Sequence, residues 1–221
     1  MSHPANPYEP TPSTIGESFA AQGKYEGLAG TATGLKIIYF SILLMLLCII
    51  GVIVAAFAFP IAMVPIGFLI LIAYLMLIVG PFFCLSAPES TGAKGLIIGS
   101  ILCQAAGLLI TAAPMVGIAI PAVVSSLTNL VATIGSILFI LFMMKISSYI
   151  QRDDLREKGR TILIGSVIMV VLLLAGVVGA TVLGPIAGIL TMCAALGMLI
   201  IFVMYANLVN SLYKAIESLQ N

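Results

Sequence analysis

The chain has 221 residues, 62% of them hydrophobic and 8% charged, with a net charge of +1. A soluble domain is about 25% charged, so this composition cannot clothe a water-facing surface and the solvent must be lipid. Near-neutral charge with no long basic stripe leaves no footprint for nucleic acid.

Met1 to Gly34 differs from everything after it. Pro4, Pro7, Pro10 and Pro12 come first, then Gly, Ser and Thr at high density. Residues 1–34 are predicted to be a disordered leader, because Gly16, Gly23, Gly27 and Gly30 oppose a firm helix. No short apolar core follows a basic start, so no secretory signal is expected. Three uncharged stretches follow, 37–88, 95–144 and 161–213. A helical crossing needs about 20 apolar residues, so each stretch is too long for one crossing and right for two. Proline-containing turns divide them: Phe57–Gly67, Ala113–Pro121 and Leu183–Gly188. The expected fold is an all-α integral membrane domain over residues 35–212, with a short tail, 213–221. Its six transmembrane helices form three hairpins, at about 37–58, 65–86, 95–113, 122–146, 161–183 and 186–208.

The stretch between the second and third hairpins orients the rest. It carries Lys145, Arg152, Arg156, Lys158 and Arg160, with Asp153, Asp154 and Glu157 among them. All nine basic and eight acidic residues lie in the leader, the two polar loops and the tail, and none in the three proline turns. An even number of crossings separates these segments, so they share one side, and their Lys and Arg make that side cytoplasmic, both termini included. The central loop can continue the fourth helix, pairing Asp154 with Lys158 and Asp153 with Arg156 at helical spacing.

The hairpins resemble one another. LKIIYFSIL (35–43), KGLIIGSIL (94–102) and GRTILIGSVI (159–168) open the first helices and place Ser41, Ser100 and Ser166 at equivalent points. The second helices align from Ala73, Gly135 and Gly197, equally spaced along the chain. This points to a parallel threefold repeat; chance alignment of apolar segments is the competing explanation.

The third helix carries Gly95, Gly99, Cys103, Gly107 and Thr111 at i, i+4 spacing, a stripe of small residues that lets another backbone come close. It serves packing within the chain, or else a second copy or another membrane protein. If it serves association, leucine at Gly99 and Gly107 should break it. Gln104 is the most polar side chain near the middle of a crossing and should find a partner on another helix. Ser125, Ser126, Thr128 and Asn129 mark either a wet helix entrance or the mouth of a polar path.

No catalytic residue is expected: no nucleophile has a nearby base, and no Asp, Glu, Lys, Arg or His falls in the interior of a crossing. Cys48, Cys84, Cys103 and Cys193 read as small buried apolar side chains, with no spacing for a metal or disulfide. No cofactor is expected. The leader motif NPYEP (6–10) and the loops CLSAPESTGAKG (84–95) and YIQRDDLREKG (149–159) resemble those of uncharacterised bacterial multi-pass membrane proteins with short NPY-x-P leaders. That resemblance implies a bacterial inner membrane and no activity. Six crossings in three hairpins are also the plan of mitochondrial carriers, but their P-x-D/E-x-x-K/R motif is absent. The functional expectation is a non-enzymatic assembly, scaffold or accessory subunit. The alternative is a passive channel or uncoupled transporter for a small or lipid-like solute, which requires a cavity reaching Gln104.

Overall fold

Where no water reaches the backbone, its N–H and C=O groups must be satisfied within the chain, and a long Leu, Ile and Val run does this as a helix. The computed structural model describes residues 27–58, 63–113, 121–183 and 185–220, without the side chains of 56–58, 63, 111–112, 122–130, 177–183, 185–187 and 190. Six helices are described: α1 (Leu28–Ala58), α2 (Met63–Phe83), α3 (Lys94–Ala112), α4 (Ala122–Tyr149), α5 (Asp153–Leu183) and α6 (Pro185–Glu217). Two single 3-10 turns, Cys84–Ser86 and Glu89–Thr91, connect α2 to α3. Among the described residues there is no strand. Five of the helices are long and apolar enough to cross a membrane; in α3 the apolar stretch is the shorter Lys94–Ile110.

The helices pair along the chain as antiparallel hairpins, α1 with α2, α3 with α4 and α5 with α6. α1 also packs on α6, and α4 on α5, whereas α2 and α3 touch least among these neighbours. The predicted turns fall largely outside the described residues. At their described margins proline starts helices: Pro65 lies in the first turn of α2, Pro121 precedes α4 and Pro185 opens α6. Proline suits a first turn because its missing N–H has no partner there anyway.

Several boundaries differ from expectation, all at the charged end. α1 begins at Leu28, so the last part of the predicted leader is helical. Glycine, read as a helix breaker, is there a contact surface. A Cβ on Gly34 would lie 2.5 Å from the Gly80 carbonyl oxygen, and one on Gly30 would run into the Ser86 hydroxyl. Leu28, Thr31, Ala32 and Leu35 are buried. α6 runs through the predicted tail to Glu217, burying Leu212, Tyr213, Ala215 and Ile216. The central segment does not continue α4. The helix stops at Tyr149, Gln151 takes a left-handed conformation (φ 58°), and α5 restarts at Asp153. Asp153 and Asp154 in its first turn complement the helix dipole.

The largest fully buried side chains are Leu28, Leu35, Ile38 and Ile42 on α1, Ile97 on α3, Phe142, Met143 and Ile146 on α4, Leu155 and Ile162 on α5, and Leu208 and Leu212 on α6. All lie in the helix halves nearest the charged loops. Further from those loops, Ile50, Ile53, Leu109, Ile134, Val171 and Leu174 are exposed. The division follows from the two solvents. Lipid tails are as apolar as leucine and give no hydrophobic reason to bury it, while water at the charged end does. Cys193 is exposed, contrary to expectation, because it lies in the outward-facing part of α6 far from the charged loops, whereas Cys48 and Cys84 are buried.

Candidate functional site

The charged segments meet at one end of the bundle. Lys36 on α1 donates to Glu217 on α6 at 3.0 Å, and its Nζ lies 5.8 Å from the centre of the Tyr213 ring. The Ser90 hydroxyl of the first polar loop donates to the Tyr149 hydroxyl at the end of α4 (3.3 Å). Glu89 pairs with Lys94 across the same loop (3.0 Å). No local pattern predicts that Lys36 reaches the tail, because the two are at opposite ends of the chain.

In the central segment Arg152 holds Asp154 with two bonds, Nε to Oδ1 at 2.9 Å and Nη2 to Oδ2 at 3.0 Å. These bonds form in place of the predicted Asp154–Lys158 and Asp153–Arg156 pairs: residues 153–158 are helical in α5, but Arg152, just ahead of the helix, takes both oxygens of Asp154. The break at Gln151 turns Arg152 onto the new helix start. The Arg152 hydrogen bond brings the Asp154 carboxyl down to about 2. A carboxyl lowered on folding contributes stability above its unfolded value of about 4, and loses it as pH falls towards 2. Lys145, Arg156, Lys158 and Arg160 are exposed. Among the described residues these four enter no ion pair.

Polar groups inside the bundle bind backbone. Ser41 on α1 donates to the Ala73 carbonyl on α2 at 2.6 Å, and Ser100 on α3 to the Gly135 carbonyl on α4 at 2.8 Å. Ser166 on α5 instead donates to Ile162 of its own helix (2.8 Å). Its counterpart carbonyl would belong to Gly197, and the space over that glycine is filled by the Met169 sulfur. Gln104, expected to find a partner on another helix, does not reach one directly. Its Nε2 donates to Ser100 Oγ on the preceding turn of α3 (3.1 Å), and Ser100 carries the chain of bonds across to α4.

The α3 stripe divides by position. A Cβ on Gly99 would come 3.1 Å from Leu138 Cδ1, and one on Gly135 would come 2.9 Å from Cys103 Cβ, so this part of the stripe is occupied by α4. Gly107 is buried. Gly95 has nothing within 4 Å of its Cβ position. The side chains of Thr111, Ser125, Ser126, Thr128 and Asn129 lie outside the description. Enlarging Gly99 therefore acts first inside the chain, so association must be tested elsewhere.

The loosely joined helices α2 and α3 leave a groove of about 220 Å3, lined by Ile78, Phe82, Ile101, Gln104, Ala105, Leu108 and Leu109. A second groove of about 320 Å3 between α1 and α2 is lined by Met45, Cys48, Ile49, Val52, Ile53 and Ile70, with no amide or charge. Among the described residues no three His, Cys, Asp or Glu side chains gather as a metal site would need.

The Ser100 relay carries a definite expectation. Ser100→Ala should lower stability by about 0.5–1.5 kcal/mol, the range for a net internal hydrogen bond. Gln104→Leu should cost less in that background than in the parent, because its partner is already gone. Denaturant titration of the four proteins measures the difference. No protein-family model, curated protein or solved structure matches this chain.

Proposed function

We propose that the chain is a membrane protein of six crossings in three parallel, repeated hairpins. Its charged end lies in the cytoplasm of a bacterial inner membrane, and it acts without catalysis as an assembly, scaffold or accessory subunit. The repeat reading is supported by the Ser41–Ala73 and Ser100–Gly135 bonds, which join positions that align in the sequence. The cytoplasmic assignment rests on the concentration of Lys and Arg at that end.

The observation that carries the accessory role is the incomplete closure between α2 and α3. Phe82 and Leu109, 52% and 69% exposed, line a groove there, and the small Ala105 stands in its wall. A groove beside a small residue admits a further transmembrane helix closely. Photo-crosslinking in native membranes tests this. A probe replacing Phe82 or Leu109 should give a discrete protein adduct, and one replacing Val171 on α5, 58% exposed, should not. Adducts at all three positions, or at Val171 alone, would contradict the proposal.

Gln104 in the groove wall favours a second reading, passage of a lipid-like solute along this seam. It requires Gln104→Leu to change solute flux in liposomes without altering the crosslinks.

A further inference from the structure

We infer that the outer face of the α4–α5 junction binds the phosphate of an anionic glycerophospholipid through Lys145, Arg156 and Arg160. This rests on the membrane reading above, and not on the accessory role.

The contact that fixes the geometry is between Gly159 and Met144: a Cβ on Gly159 would come 2.7 Å from Met144 Cγ. Lys145 follows Met144 on α4. Arg156 and Arg160 lie on either side of Gly159 on α5, one helical turn apart and so on one face. All three are exposed and, as described above, free of ion pairs. Asp154 is neutralised by Arg152, which leaves Asp153 and Glu157 against Lys145, Arg156, Lys158 and Arg160. The local balance is positive.

The level of the cluster selects a lipid over a soluble acidic protein. One and two turns beyond Arg160 on α5, Ile164, Val167 and Ile168 are exposed at 51%, 47% and 50%. An apolar surface of that kind, starting directly below a basic one, fits a molecule with a phosphate above its acyl chains. Guanidinium groups suit a phosphate because their planar fork donates two bonds at once, and basic pockets between transmembrane helices bind anionic headgroups.

The test is native mass spectrometry of the full chain released from nanodiscs of phosphatidylglycerol and phosphatidylcholine in equal amounts. Retained phosphatidylglycerol should exceed phosphatidylcholine. Replacing Lys145, Arg156 and Arg160 together by Gln should lower its retention by at least about tenfold, since each basic residue is worth about fivefold near an anionic surface. Replacing Lys94 and Lys214 by Gln should leave it unchanged. Arg156→Lys with Arg160→Lys should keep part of the preference, which separates headgroup binding from loss of fold. Inorganic phosphate in excess should not displace the lipid. Equal retention of both lipids, an unaffected triple variant, or displacement by inorganic phosphate would overturn the inference. Crosslinks at Phe82 and Leu109 should be the same in the triple variant, so the two proposals can fail separately.

Discussion

Gly34→Leu should unfold the α1–α2 hairpin, with a loss of about 3 kcal/mol or more. The Cβ alone would sit 2.5 Å from the Gly80 carbonyl oxygen, 2.8 Å from Cys84 Sγ and 3.0 Å from the Cys84 backbone nitrogen. Two of these three are backbone atoms, which cannot swing aside as a side-chain tip can. Overpacking a tight contact already costs about 1–3 kcal/mol where side chains can yield. Gly80 makes the reciprocal contact, since its own Cβ would strike Ile38. The hairpin can relieve the clash only by parting, which also uncovers Leu35 and Ile38. Gly95→Leu is the matched control. Its Cβ meets nothing within 4 Å, and leucine is the better helix former, so stability should hold or rise slightly. Denaturant unfolding of the two variants in mild detergent makes the comparison.

Phe142→Ala should cost about 3–5 kcal/mol, the range for emptying a packed aromatic site. Phe142 is 0% exposed and lies 5.7 Å, ring centre to ring centre, from Phe139, which in turn stacks near Tyr205. The cavity would open between α4 and α6, where no flexible loop can collapse into it. Leu109→Ala removes a comparable apolar side chain that is 69% exposed and should change stability by less than about 0.5 kcal/mol. The pair tests whether the core is confined to the charged half of the bundle. A uniformly packed bundle would give similar losses at both positions.

The helical class and the presence of helices long and apolar enough to cross a membrane were legible from the spacing of charges alone, because an ionised group in hydrocarbon is costly enough to override local preferences. Pairing of the helices into hairpins followed from the proline turns. The ends of the helices were not legible. Gly30 looks like a breaker in a sequence, and only the approach of Ser86 shows that it serves contact instead. The start of the first helix and the tail were read as separate, yet Lys36 meets Glu217, a contact that no local pattern encodes. Gln104 stood out as the most polar side chain near the middle of a crossing, but a partner on its own helix could not be distinguished from one across the bundle. Ser41 and Ser100 were found only as matching letters in an alignment. Their bonds to the carbonyls of Ala73 and Gly135 supply a physical reason for the match.

The central claim is that every charged segment lies on one side of three paired crossings. Single cysteines at Ser90, Lys158 and Ser218, and others at Pro121 and Gly188, probed with a membrane-impermeant maleimide in sealed vesicles, test it most directly. Three of the four native cysteines lie within the long helices and Cys84 is buried in the first 3-10 turn; together they set the background. The account predicts that Ser90, Lys158 and Ser218 react from one compartment, and Pro121 and Gly188 only from the other. Reaction of Ser90 and Pro121 from the same compartment would contradict it.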